Sequence, residues 1–248
     1  MKKINILGIK ICSLSFNEAI KIVDELIVKG KPAQIVTVNP EFIVVAQKDI
    51  QFKKILNQAD LALPDGVGLI LAGRILGTPL KERITGVDLT WAICKLAEDR
   101  GYSVFFLGGI RGVAKETASR IKKIHSRLLV AGYYEGKPND AKTWDAIERV
   151  RPNILFVAFG APKQDKFIYD LIHSSRISHN PSLSIGVGGT FDYIAGRIPR
   201  APEWLRNLGL EWLYRFYSEP WRIKRIFKAV IVFPILVIFD VINSYFRR

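Results

Sequence analysis

The sequence is poor in the residues on which several common chemistries rest. Two cysteines in 248 residues, Cys12 and Cys94, are too few and too far apart for a disulfide framework and have no Cys-x-x-Cys spacing, so a reducing cytoplasm suits the chain. His125, His173 and His179 are the only histidines, there is no His-Glu-x-x-His, and no cysteine or carboxylate cluster has zinc spacing. A zinc enzyme is therefore not expected. The chain also lacks a G-x-S-x-G elbow and a G-x-x-x-x-G-K-[ST] loop, which removes the main support for a serine hydrolase or a P-loop NTPase. It contains no Asp-x-Asp. An enzyme handling a diphosphate here would stabilise the developing charge with Arg, Lys and backbone N–H groups instead of a carboxylate-held Mg²⁺. Internal repeats and low-complexity linkers are missing too. The start, Met1-Lys2-Lys3, is followed by an apolar stretch that Lys10 interrupts, so a signal peptide is not expected.

What is abundant is positive charge. A formal net charge of +14 and a pI near 9.8 point to an anionic partner: nucleic acid, a nucleotide-type substrate or an anionic membrane surface. The length suffices for one large α/β domain, or a domain with an appendage, with a substantial core.

Residues 3–12 have the alternation of a strand or hairpin, and Ser15-Phe16-Asn17-Glu18 reads as a capping box ahead of Phe16, Ala19, Ile20, Val23 and Ile27 at helical spacing. Gln34-Ile35-Val36-Thr37-Val38 is a β-branched run stopped by Asn39-Pro40, which puts Thr37 and Asn39 at a strand's carboxyl end with side chains on one side. Helical segments over about 41–58 precede the stretch Leu61-Ala62-Leu63-Pro64-Asp65-Gly66, where an apolar strand turns into a helix. Asp65 at that corner either caps the following helix or points into the crevice above a sheet and accepts a proton. A polar turn carrying Arg83 leads to a helix over 87–100. Further strands are expected at 103–107, 128–134, 153–159 and 184–187, alternating with helices as far as about residue 190. Gly108-Gly109-Ile110-Arg111-Gly112 joins strand to helix in the manner of a phosphate cradle but lacks G-x-G-x-x-G spacing, which disfavours a dinucleotide site and leaves a purely structural tight turn as an alternative. The alternation predicts an α/β fold: a Rossmann-like, mostly parallel sheet flanked by helices.

The texture changes after Arg200-Ala201-Pro202. Trp204, Trp212, Tyr214, Phe216 and Tyr217 are mixed with Arg215, Arg222, Lys224, Arg225 and Lys228, and an apolar run over 229–239 follows. That run falls short of the roughly 20 residues needed for a bilayer core, contains Pro234 and is closed by Asp240. A cationic aromatic segment leading into apolar residues suits a helix lying in the cytoplasmic leaflet. Two units are expected: a catalytic α/β domain over 1–196 and a basic, aromatic helical appendage over 197–248 for membrane association. Nucleic-acid binding is disfavoured because the basic residues run straight into the greasy ones.

Several motifs stand in one order along nearly the whole chain: Thr37-Val38-Asn39-Pro40, Pro64-Asp65-Gly66-Val67-Gly68, Arg83-Ile84-Thr85-Gly86-Val87-Asp88, Phe106-Leu107-Gly108-Gly109, Gly160-Ala161-Pro162-Lys163-Gln164, Gly186-Val187-Gly188-Gly189-Thr190-Phe191-Asp192, and Arg200-Ala201-Pro202 through Leu210-Glu211-Trp212-Leu213. Together they resemble the WecG/TagA/CpsF family, glycosyltransferase family 26, and most of all its TagA-type branch, which acts in wall teichoic acid synthesis. Asp165 stands where that family usually has Glu. The resemblance implies an inverting, metal- and cofactor-independent transfer of N-acetylmannosamine. The donor would be UDP-N-acetylmannosamine, the acceptor the 4-hydroxyl of undecaprenyl-diphosphate-linked N-acetylglucosamine, and the place the inner face of the cell membrane. It implies Asp65 as general base and Thr37, Asn39, Arg83 and Gln164 as polar lining. It places Gly108, Gly109, Gly188, Gly189 and Asp192 nearer the nucleotide, and gives at least one of Arg215, Arg222 and Arg225 a diphosphate to grip. A homo-oligomer is left open. The competing expectations are a nucleotide-binding oxidoreductase and a non-catalytic membrane or nucleic-acid module.

Overall fold

A computed structural model describes residues 1–219 and 222–246; the side chains of Asn207, Arg215, Ser218 and residues 244–246 lie outside the described set. Six parallel strands make the central sheet: β3 (Ala33–Val38), β4 (Leu61–Pro64), β5 (Ser103–Gly108), β6 (Leu129–Tyr134), β7 (Ile154–Ala158) and β8 (Leu183–Gly186), in the order β4-β3-β8-β7-β5-β6. The expected parallel sheet is thus present, and its inner strands are buried on both faces, which is why they read as continuous apolar runs. The N-terminal alternation folds as a separate antiparallel hairpin, β1 (Lys3–Ile6) with β2 (Ile9–Cys12).

Helices cover both faces. On the first lie α1 (Phe16–Val28), α5 (Gly86–Arg100), α6 (Val113–Ile124) and α9 (Thr190–Ala195), which bury Val23, Ile93, Ile121 and Phe191 against Ile35, Phe106, Phe156 and Ile185. The capping box at the start of α1 forms as its spacing predicts, Glu18 N–H donating to Ser15 Oγ and Ser15 N–H to Glu18 Oε2.

The second face has two apolar clusters. One joins the hairpin, α2 (Pro40–Ala46), α3 (Ile50–Gln58) and α4 (Val67–Ile75) to Val36, Val38 and Ala62. The other joins α7 (Ala141–Val150) and α8 (Lys163–His173) to Phe105, Leu107, Leu155 and Val157. Between them β8 presents Ser184 and Gly186, because its alternate residues Leu183 and Ile185 face the other way. The N-terminus of α8 lays Gln164 and Asp165 into this gap. A Cβ on Gly186 would fall 2.6 Å from Gln164 Nε2 and 2.9 Å from Asp165 Oδ1, so glycine is what lets α8 approach.

After Gly196 the chain is helical: α10 (Glu203–Asn207), α11 (Glu211–Ser218), α12 (Ile223–Phe227), a π-helical turn (Lys228–Val232) and α13 (Phe233–Phe246). Pro234 does not end the rod. Its missing N–H and bulky ring are accommodated by the wider π turn just before it. The helical stretch over Ile223–Asn243 is accordingly 21 residues, long and apolar enough by length and composition to cross a bilayer, which the run of 229–239 alone was not. One stripe of it is not free, however. Phe233 and Val237 are 1% and 2% exposed within the cluster formed by α2 and α4, whereas Ile231, Ile235, Ile238, Phe239 and Ile242 are exposed.

Asp165 is fully buried and neither carboxylate oxygen has a hydrogen-bond partner among the described residues. Burial pushes its carboxyl from 3.8 up to about 7. An acid whose pKa is raised by folding binds a proton that the unfolded chain has already lost, so stability must fall as pH rises from about 4 to about 7 and then level off. Asp165→Asn removes that slope: relative to wild type, the variant should gain about 4 kcal/mol across this interval, which urea unfolding at pH 4.5, 6 and 8 would measure.

Candidate active site

At the carboxyl edge of the sheet, the chain leaves β3 for α2 on the second face and leaves β8 for α9 on the first. Such a divergence opens a crevice between the two strands. A cavity of about 410 Å³ lies there, bounded by the ends of β3, β4, β7 and β8 and closed on one side by the tail. It brings together Thr37, Asn39, Asp65, Arg83, Gln164, Gly188, Gly189, Arg222 and Arg225 of the residues expected from sequence. Gly108, Gly109 and Asp192 do not line it. Gly108 packs on the Ala158 carbonyl and Gly109 on Val113 and Phe191, the tight-turn reading of that stretch. Arg215 belongs to α11 by its backbone, and its side chain lies outside the described set.

Asp65 directly follows β4, its N–H donating to the Val38 carbonyl at 2.6 Å. It does not cap α4: the N-cap there is Gly66, at φ +129°, with no side-chain cap bond. Instead Asp65 Oδ2 accepts from the Gly86 N–H at 3.3 Å, at the start of α5. The helix terminus that favours its anionic form is therefore α5, reached from a residue 21 positions earlier. Gly86 has no side chain to obstruct the place: a Cβ there would lie 3.2 Å from Thr190 Oγ1, 3.7 Å from Thr37 Oγ1 and 3.9 Å from Asp65 Oδ2. Two hydroxyls and one carboxylate thus converge beside an open space.

Asn39 serves as cleft wall and as cap at once, its Oδ1 accepting from Phe42 N–H at 3.0 Å to start α2. Gln164 holds two loops, its Oε1 accepting from both Gly160 N–H and Gly188 N–H at 3.0 Å. The cations come pre-paired. Arg83 Nη1 is 3.7 Å from Glu211 on α11, and Arg225 Nε donates to Glu41 Oε2 on α2 at 2.8 Å. Arg222 pairs with Glu219, and Arg200 forks onto Asp88 at 2.6 and 2.7 Å. Burial opposes ionisation of Asp88, but Arg200 and the Thr85 hydroxyl outweigh it and hold the carboxyl below its usual range. Asp192 is pushed the other way: burial raises it, against the pull of Arg222 and Arg197.

Sequence reasoning did not assign Glu41, Glu211, Glu219, Tyr193, Thr190 or Arg200 to the site. Arg200 and Thr190 stood inside quoted motifs, and Thr85 with Asp88 three residues on has cap spacing, a local signal for the Arg200 partner. Glu211 also stood inside a quoted motif, whereas Glu41 and Glu219 carry no such signal.

An open parallel sheet with an arginine-lined cleft at its carboxyl edge, headed by one carboxylate and two hydroxyls, is the arrangement of an α/β enzyme. The chain belongs to the glycosyl transferase WecG/TagA/CpsF family, whose model matches residues 4–247. Among its relatives, an N-acetylglucosaminyldiphosphoundecaprenol N-acetyl-beta-D-mannosaminyltransferase of Bacillus spizizenii is 35% identical over 198 residues, 79% of this chain and 76% of that protein. One of the same name from Bacillus subtilis is 37% identical over 195 residues, 78% and 74% of the two chains. The protein is a glycosyltransferase.

Gln164→Leu leaves the Gly160 and Gly188 N–H groups without their acceptor. It should lower stability by about 1–3 kcal/mol, read as a drop in urea midpoint at unchanged m-value.

Proposed function

We propose that the protein transfers N-acetylmannosamine from UDP-N-acetylmannosamine to the 4-hydroxyl of undecaprenyl-diphosphate-linked N-acetylglucosamine, with inversion and without a metal ion. The observation that carries the reading is the convergence of Asp65, Thr37 and Thr190 around Gly86 at the head of a cleft whose other wall bears Arg222 and Arg225. The names of the two Bacillus relatives supply the substrate class.

Asp65 takes the proton of the acceptor's 4-hydroxyl as that oxygen attacks the anomeric carbon. The new C–O bond forms on the face opposite the departing diphosphate, and UDP leaves with the electron pair of the broken bond. Thr37 and Asn39 orient the sugars. Arg83, Arg222 and Arg225 balance the charge on the leaving diphosphate and on the acceptor's own diphosphate, a task for fixed cations in a site with limited water. Gly188 and Gly189 offer the donor a close approach, with Asp192 just beyond them on α9. The remaining wall is apolar, with Val67, Leu71, Ile226, Ala229, Val230 and Pro234. It suits the first isoprene units of a polyprenyl chain.

The region 197–248 acts in this reading as a peripheral membrane appendage on the inner face of the membrane. Phe233 and Val237 are seated on α2 and α4, so α13 is held along the body, while Ile231, Ile235, Ile238 and Phe239 remain outward for lipid. Lys224, Arg225 and Lys228 stand next to them, where anionic headgroups would lie.

Transfer from UDP-N-acetylmannosamine to a vesicle-borne lipid-diphosphate-N-acetylglucosamine, measured in EDTA, tests the reaction. Wild type should be active at an unchanged rate with chelator, and Asp65→Asn should lose about 10²–10⁴-fold in kcat. Full activity of Asp65→Asn would sink the base assignment, and loss of activity in EDTA the metal-free one. Co-sedimentation with anionic vesicles checks the appendage: Ile238→Asp together with Phe239→Asp should weaken it at least ten-fold, and raised salt should weaken the wild type.

A further inference from the structure

Asp165 and Glu219 are the two acidic side chains buried almost completely among the described residues, and only Glu219 belongs to the tail. A carboxylate buried this deeply, 1% exposed, is costly unless its oxygens are engaged. Oε1 accepts from the Tyr193 hydroxyl at 3.2 Å; Oε2 makes no hydrogen bond among the described residues and is compensated by its ion pair with the Arg222 guanidinium at Nε. The Arg222 N–H also donates to the Glu219 carbonyl at 2.9 Å. Tyr193 comes from α9, in the α/β body, and itself lines the cleft.

The consequence is directional. Glu219 engages the Nε edge of Arg222, and the Nη end lies flat on Gly189, where an added Cβ would be 3.0 Å from Nη2 and 3.7 Å from Nη1. An arginine has many rotamers and an entropy cost for choosing one. Here the choice is made by a carboxylate that is in turn held by a phenol from the other side of the boundary between body and tail.

We propose that Tyr193 and Glu219 are positioning residues: they aim the Arg222 guanidinium across the Gly188–Gly189 turn, so that the tail's cation enters the cleft in one orientation only when the body supplies the Tyr193 hydroxyl. This rests on the reading that Arg222 balances diphosphate charge during transfer. In this role the carboxylate and phenol act through Arg222.

Full-length protein with the vesicle-borne acceptor tests it, comparing Tyr193→Phe, Glu219→Gln, Arg222→Ala and the pairwise combinations with Arg222→Ala. Tyr193→Phe removes one hydroxyl and should lower kcat about five-fold with the donor KM unchanged. Glu219→Gln should lower it more, and Arg222→Ala most. In the Arg222→Ala background neither further change should matter, because the group being aimed is gone. Vesicle binding and melting temperature of Tyr193→Phe should stay near wild type. If Arg222→Ala is fully active, the role of Arg222 in transfer fails, and the inference with it. If Arg222→Ala loses activity but Tyr193→Phe and Glu219→Gln are harmless, or lower kcat by the same factor in both backgrounds, the positioning role is overturned while that of Arg222 stands. A rise in donor KM at constant kcat would overturn it as well.

Discussion

The cleft proposed to receive a diphosphate gathers several arginines, and the need to hold like charges close together shapes the rest of this structure. Like charges a few ångströms apart repel, so each arginine is kept in place by its own carboxylate: Arg83 by Glu211, Arg200 by Asp88, Arg222 by Glu219, Arg225 by Glu41. Three of these pairs join the tail to the α/β body, and Glu219 adds a hydrogen bond from Tyr193. Seating the tail and charging the cleft are therefore one event. The partly exposed pairs are worth at most about 1 kcal/mol each, which leaves the guanidinium groups available to a more highly charged diphosphate.

Asp65 has a different setting. It lies at the N-terminus of α5, where backbone dipoles favour the anion, and beside hydroxyls from β3 and α9. Asp88, at the same helix start, is locked in a bidentate arginine fork, which opposes proton uptake.

Stability is given up close to the same edge. The gap opposite Ser184 and Gly186 interrupts the apolar cover of the second face, and the Asp165 carboxylate fills it with no hydrogen-bond partner among the described residues. That packing brings Gln164 to the two glycine loops that line the cleft. The apolar seam of Phe233 and Val237 supplies burial on the same face, and it also fixes which side of α13 looks away from the body.

The periodicities of the sequence by themselves determined the strands, the helices and most of their starts, because capping boxes, β-branched runs and glycine turns are local signals. They placed Thr37, Asn39 and Asp65 at strand ends, and a family pattern spread along the chain fixed the kind of enzyme. The order β4-β3-β8-β7-β5-β6 was not legible, since nothing in a strand's own residues says which neighbour it pairs with. Nor was the partner of Asp65: local reasoning offered α4, and tertiary structure chose α5. The Arg225–Glu41 pair spans 184 residues, and the glutamates that pair with the arginines carry no periodic signature. Only the packing of the tail on the sheet's carboxyl edge brings such residues within reach, because charge pairing is decided by distance in space, which the spacing along the chain does not encode.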